Sequence, residues 1–152
     1  MTWREPCLLS AVFAVLTALG LFIFPGHSFL LSDSQIYLPL FTNLSHPSLL
    51  PNELILSGAH LSYTIYDEVT LSLASLTGLS FEQVLFGQQF AFRWIGYWGA
   101  YWLARACGLP MGPAVLTSTL LWLGAFVYGP AVITTEFEPV PRGFAVGLRN
   151  VR

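Results

Sequence analysis

The sequence predicts an all-α, polytopic membrane protein. It has three spans and the start of a fourth, with a long outer loop containing short interfacial helices. Three observations predict this class. Of the 152 residues, 55% are hydrophobic and 9% are charged, and mean hydropathy is +0.65. Soluble domains carry about 25% charged residues, so this chain has too few to cover a water-facing surface. Long apolar runs recur along it, and the middle run places polar and aromatic residues at helical spacing. The whole of 1–152 reads as one membrane domain.

The first span is predicted over 6–24, PCLLSAVFAVLTALGLFIF. At ~1.5 Å per residue this run just crosses a ~30 Å hydrocarbon core. Pro25 and Gly26 then stop it. Arg4 ahead of an apolar run also fits a secretory signal. The length of the run, and the lack of a prompt A-x-A site, favour an uncleaved anchor.

Residues 27–80 form a long connection with four acids (Asp33, Glu53, Asp67, Glu68) and no arginine. Pro39, Pro47 and Pro51 are expected to break its first half into short pieces. In its second half Leu61, Ile65, Val69, Leu73 and Leu76 recur at steps of three and four, a helical stripe. Tyr63, Tyr66, Asp67 and Glu68 interrupt that stripe. The helix either lies along the membrane interface or packs against protein.

The second span is predicted over 82–105. Gln89, Arg93 and Tyr97 are four apart and share a face. Trp94, Trp98 and Trp102 share a neighbouring one, as packing and interface anchors. After the turn CGLPMGP, a third span is predicted over 112–133. A polar stretch, TTEFEPVPR, follows, and RGFAVGL opens a fourth span that meets RNVR after a few residues.

Arginine placement sets the orientation. Arg4 and Arg105 fall on one side, predicted cytoplasmic, and the 27–80 loop lies outside. Arg142, Arg149 and Arg152 argue the other way but follow the last full span. This topology puts Asp33, Glu136 and Glu138 on one outer face.

Composition also excludes some functions. There is no lysine and the net charge is −2, so no basic patch suits nucleic acid. Neither Cys7 and Cys107 nor the three histidines have metal-ligand spacing. Both cysteines fall near the cytoplasmic side, which disfavours a disulfide.

Five residues are candidates for chemistry. Asp33, at a lipid–water boundary, is either a general base with a raised pKa or a helix N-cap among Ser32 and Ser34. Glu136 and Glu138 alternate in E-F-E and either hold a divalent metal ion or form a solvated turn. Arg142 either binds a lipid-linked phosphate or snorkels. Arg93, mid-span, must face protein, water or a partner, because lipid exposure costs a few kcal/mol or more. Asn43-Leu44-Ser45 matches a glycosylation sequon, a frequent chance pattern.

The layout resembles the amino-terminal part of GT-C type integral-membrane glycosyltransferases and their bacterial membrane relatives. DSQIYLPLF (33–41), HPSLLPNE (46–53), LSYTIYDEV (61–69) and EPVPRGFAVGL (138–148) carry the likeness. It implies a multi-pass protein of a bacterial plasma membrane, in contact with lipid, using a polyprenyl-phosphate-linked sugar. By position, Asp33 would be the base toward the acceptor hydroxyl. Glu136 or Glu138 would assist a metal or the donor, and Arg142, with Arg93, would bind substrate. The chain departs from the family in lacking a strict D-x-D at Asp33 and in having far fewer than the family's eight or more spans. The expectation is an amino-terminal fragment that is inactive alone. The rival reading is a small non-catalytic membrane protein with helix partners, drawn from the small residues Gly96, Gly99 and Ala100. Transport, resting on Arg93, is a third.

Overall fold

The computed structural model describes residues 4–23, 26–29, 34–46, 48 and 65–122. Among them are five α-helices and no strand, as the all-α reading expects.

Helix α1, Arg4–Phe22, has 19 residues and so runs ~28 Å. Pro6 lies in its first turn, where a missing N–H costs little. The helix ends two residues before the predicted limit. Gly26 closes the chain back on it, at φ 83° with its N–H donating to Gly20 O at 3.0 Å.

Helix α2, Ser34–Ser45, runs through Pro39, where the sequence reading placed a break. Proline forfeits one backbone bond there. The adjoining Leu40 and Phe41 are buried, and Phe41 packs on Tyr66 and Phe81 with centroids 6.1 and 5.6 Å apart. That apolar contact offsets the lost bond. Pro47 and Pro51 lie outside the described residues.

Helix α3, Tyr66–Thr77, confirms a helix where the leucine stripe predicted one. Gly78 ends it at φ 68°, its N–H donating to Ala74 O at 2.9 Å; this left-handed cap suits glycine. The chain then turns by 116° into α4, Phe81–Ala106, nearer to perpendicular than to a continuation. Ser80 starts α4 with a reciprocal capping box: Gln83 N–H donates to Ser80 Oγ at 3.3 Å, and Ser80 N–H to Gln83 Oε1 at 3.1 Å. Both ends of α4 fall within one residue of the predicted 82–105.

Helix α5, Met111–Trp122, folds back along α4 after a short turn. A β-carbon at Gly96 would overlap the Trp122 indole, so the two helices approach more closely than any larger residue allows. Helices α1 and α4 run antiparallel: Phe13 stacks on Tyr97 at 5.5 Å, while His27 meets Phe86 edge-on at 5.0 Å. Residues 4 and 105 therefore lie toward one end, as the orientation argument requires.

Beside an apolar core, the described residues bury polar side chains and leave many large apolar ones exposed. Thr17, Asp67, Thr70, Gln88, Gln89, Arg93 and Ser118 are buried. Leu8, Val15, Phe22, Ile65, Leu76, Leu116 and Leu120 are exposed, Phe22 by 79% and Leu76 by 83%. Helix α3 shows this most clearly. Its buried residues are Tyr66, Asp67 and Thr70, the polar side that had looked like an interruption of the stripe.

Among the described residues one helix, α1, is long and apolar enough to cross a membrane, with mean hydropathy 1.9 over Glu5–Phe22; there are two such segments if α3 and α4 count as one bent span. The expected second span, α4, has the length, but Gln88, Gln89 and Arg93 lower its hydropathy. Described α5 has 12 residues, ~18 Å, which is short of a crossing. The remainder of the predicted third span, and the start of a fourth, lie outside the described residues.

Candidate functional site

The chemistry-bearing side chains among the described residues gather on one face of α4. Gln89, Arg93 and Tyr97 follow one another at four-residue steps, and all three are buried, Arg93 to 3% exposure. An apolar helix interior leaves a guanidinium in need of oxygen acceptors. One comes from the chain reversal after α1: Arg93 Nη2 donates to Gly26 O at 2.8 Å. The positive φ of Gly26 belongs to the turn that presents this carbonyl. Nη1 lies against α1 at Gly20, where a β-carbon would sit 3.6 Å away.

A second contact lies one turn toward the start of α4. His27 Nδ1 and Gln89 Oε1 are hydrogen-bonded, with the ring nitrogen donating in that tautomer. Gly26 and His27, the first residues of the long connection, are thus held to the middle of α4 by two polar contacts. Deeper along the bundle Trp94 Nε1 donates to Ser10 O at 3.2 Å, and Ser118 Oγ to Tyr97 O at 2.6 Å. These tie α1 and α5 to the same helix.

The polar side of α3 meets α4 at Gln88. The Thr70 hydroxyl donates to Tyr66 O at 2.8 Å and leans to Gln88 Oε1 at 3.2 Å. Asp67 lies on the same side of α3, one turn before Thr70. It is buried, and its Oδ1 has no hydrogen-bond partner among the described residues. Burial, and then the charge of Glu68, push its carboxyl above the usual carboxylate range. Burial also raises the Tyr66 phenol, helped by Tyr37 and Asp67.

Of the five residues predicted to carry chemistry, Arg93 is described, and it faces protein as its mid-helix position requires. Asp33, Glu136, Glu138 and Arg142 lie outside the described residues; α2 begins at Ser34, directly after Asp33 in sequence. The metal expectation rested on Glu136 and Glu138. Among the described residues no three His, Cys, Asp or Glu side chains come together as a metal site. Cys7 and Cys107 are free and exposed.

Sequence reasoning missed His27, Thr70 and Gln88. The i, i+4 spacing that found Gln89 and Arg93 also covers Gln88 as the next residue on the same polar side of α4. Nothing local marks His27, because its partner is 62 residues away.

The small residues Gly96, Gly99 and Ala100 are buried within the chain. Gly96 serves the α4–α5 contact, so this stripe offers no free surface to a partner helix. Comparison with protein-family models, curated proteins and solved structures finds no match.

Proposed function

We propose that the chain is a multi-pass membrane module whose spans are α1, α4 and the predicted 112–133 stretch that includes α5, with α2 and α3 lying at the interface. The observation that carries this reading is polar side chains buried while large apolar ones stand exposed. A buried arginine, two amides and three hydroxyls inside, with leucines, valines and Phe22 outside, suit a surrounding solvent of lipid tails. The near-perpendicular turn between α3 and α4 suits a helix lying in the interface with its leucines toward lipid.

Within that frame the chemistry proposed is glycosyl transfer from a polyprenyl-phosphate-linked sugar, as part of a GT-C-like enzyme. Asp33 would take the proton of the acceptor hydroxyl. Glu136 or Glu138 would assist the donor or a divalent metal, and Arg142 would bind the phosphate. Arg93 acts at one remove. Its bond to Gly26 anchors the start of the connection that leads, seven residues later, to Asp33. A fixed anchor suits a base that must meet a hydroxyl within hydrogen-bond reach.

The test is sidedness and then binding. With Cys7 and Cys107 replaced by serine, Ser34→Cys and Thr135→Cys should both react with an impermeant maleimide from the outer face of oriented vesicles. Labelling from opposite faces would sink the shared site. The purified chain in nanodiscs should bind a polyprenyl-phosphate sugar saturably, at least 5-fold more weakly after Arg142→Ala. Equal binding by the two would overturn the phosphate role.

A further inference from the structure

We propose that the groove between α3 and α4 holds one fatty-acyl chain of an ester-linked membrane lipid, a proposal that rests on the membrane reading above. The groove has a volume of about 350 Å³ and is lined by Val69, Leu73, Leu79, Val84, Gly87 and Phe92, among others. No charged side chain lines it, which turns away phosphate headgroups and charged peptides. Its volume is at the small end of ligand pockets. A packed helix is ~10 Å across with its side chains, and a stable protein interface buries about 800 Å² per partner. A single hydrocarbon chain fits this slot where a helix does not.

Three observations converge on that occupant. First, α3 turns its polar side, Asp67 and Thr70, into the protein, and Val69 and Leu73 toward the groove, with Leu76 fully out beyond them. Among the described residues this apolar flank is left open while polar groups are buried, which suits an apolar neighbour.

Second, Gly87 lies in the wall of the groove, inside α4. Glycine is the least favourable helix residue after proline. At Gly96 the Trp122 ring accounts for the missing side chain, but a β-carbon at Gly87 would meet nothing within 4 Å. Among the described residues no group uses the space that Gly87 leaves, and Gly87 lines the groove.

Third, Gln88 in the wall is 6% exposed. Its Oε1 accepts from Thr70 at 3.2 Å, while its Nε2 has no hydrogen-bond partner among the described residues. Thr77 and Gln83 also line the slot, but the Thr77 hydroxyl donates to Leu73 O and Gln83 belongs to the exposed capping box; the buried Gln88 nitrogen matches a chain that carries an acceptor at its head, the ester carbonyl. The terminal amide torsion is soft, so the nitrogen can turn to meet that carbonyl as the chain enters.

The experiment uses the full chain in vesicles of phosphatidylcholine doped with a phosphatidylcholine bearing a diazirine on one acyl chain. Photolysis is followed by peptide mapping. Label is expected on α1 at its lipid-facing residues Leu8, Val15 and Leu19, and on the 69–92 segment at least 3-fold above α1 per residue. Gly87→Leu, which puts a side chain into the groove where a β-carbon meets nothing within 4 Å among the described residues, should cut the label on 69–92 at least 5-fold and leave α1 unchanged. An ether-linked analogue, which has no carbonyl, should label the groove about 3-fold less than the ester. Label on α1 with none above it in 69–92, or with no response to Gly87→Leu, overturns the groove and leaves the membrane reading standing. Label on neither overturns both. Equal labelling by ether and ester lipids overturns the role of Gln88.

Discussion

Gly96 and the Trp122 indole occupy one contact plane: a β-carbon on the glycine would overlap the ring. The α4–α5 hairpin is therefore closed by the absence of a side chain. Gly96→Val is expected to destabilise the fold by about 1–3 kcal/mol through overpacking. In Gly96→Val with Trp122→Ala, the combined loss should be less than the sum of the two single losses, because the residues share one contact. Thermal unfolding of the four proteins in detergent checks this. Strict additivity would show that the contact is not made.

Arg93 is expected to matter through Gly26. Arg93→Ala leaves the half-buried Gly26 carbonyl without its charged donor, at a cost of about 1 kcal/mol. It should also speed proteolysis after Gly26 while α4 stays intact. Arg93→Lys places a charge there without the planar fork and should restore only part of the protection. Limited proteolysis in nanodiscs measures both effects, and unchanged cleavage in Arg93→Ala would contradict the anchor.

Asp67 gives a pH dependence of definite sign. Its folded-state pKa is raised, chiefly by burial, so ionisation works against the folded state. Stability is greatest below the usual aspartate pKa of ~3.9. It falls as pH rises from there through the raised value. Asp67→Asn should therefore unfold at higher temperature than the parent at pH 7, with the gap closing toward pH 3–4. A gap that widens on acidification would reverse the assignment.

The elbow between α3 and α4 depends on a capping box. Ser80→Ala removes the acceptor for Gln83 N–H and should cost about 1 kcal/mol, while Ser80→Asp should keep most of the stability. Denaturation midpoints of the three proteins decide it. Equal midpoints would mean that the box contributes nothing.

Local pattern made the helices legible. The apolar run of α1, the four-residue polar spacing of α4 and the leucine stripe of α3 each placed a helix correctly. Pro39 misled because its cost is local, whereas what holds α2 together, Phe41 against Tyr66 and Phe81, joins residues far apart in sequence. The facing of α3 misled for a related reason. A stripe of leucines marks a helical face but not the medium it faces, and here the polar side turns inward. Arg93 was legible as a residue that faces protein, water or a partner, because a charge at mid-helix disfavours lipid. Its acceptor was not, since a backbone carbonyl at Gly26 leaves no mark in composition.

The bond from Arg93 to Gly26 also bears on biosynthesis. The two residues are 67 positions apart, and the carbonyl belongs to the earlier one. In a chain made from its amino end, Gly26 has left the ribosome well before Arg93 is joined. On the multi-pass reading proposed above, the arginine would enter the bilayer after its acceptor has been made. A chain whose first helix is released or cleaved before α4 arrives would have to insert that charge without this acceptor. On that reading the order of synthesis becomes part of how the fold is reached.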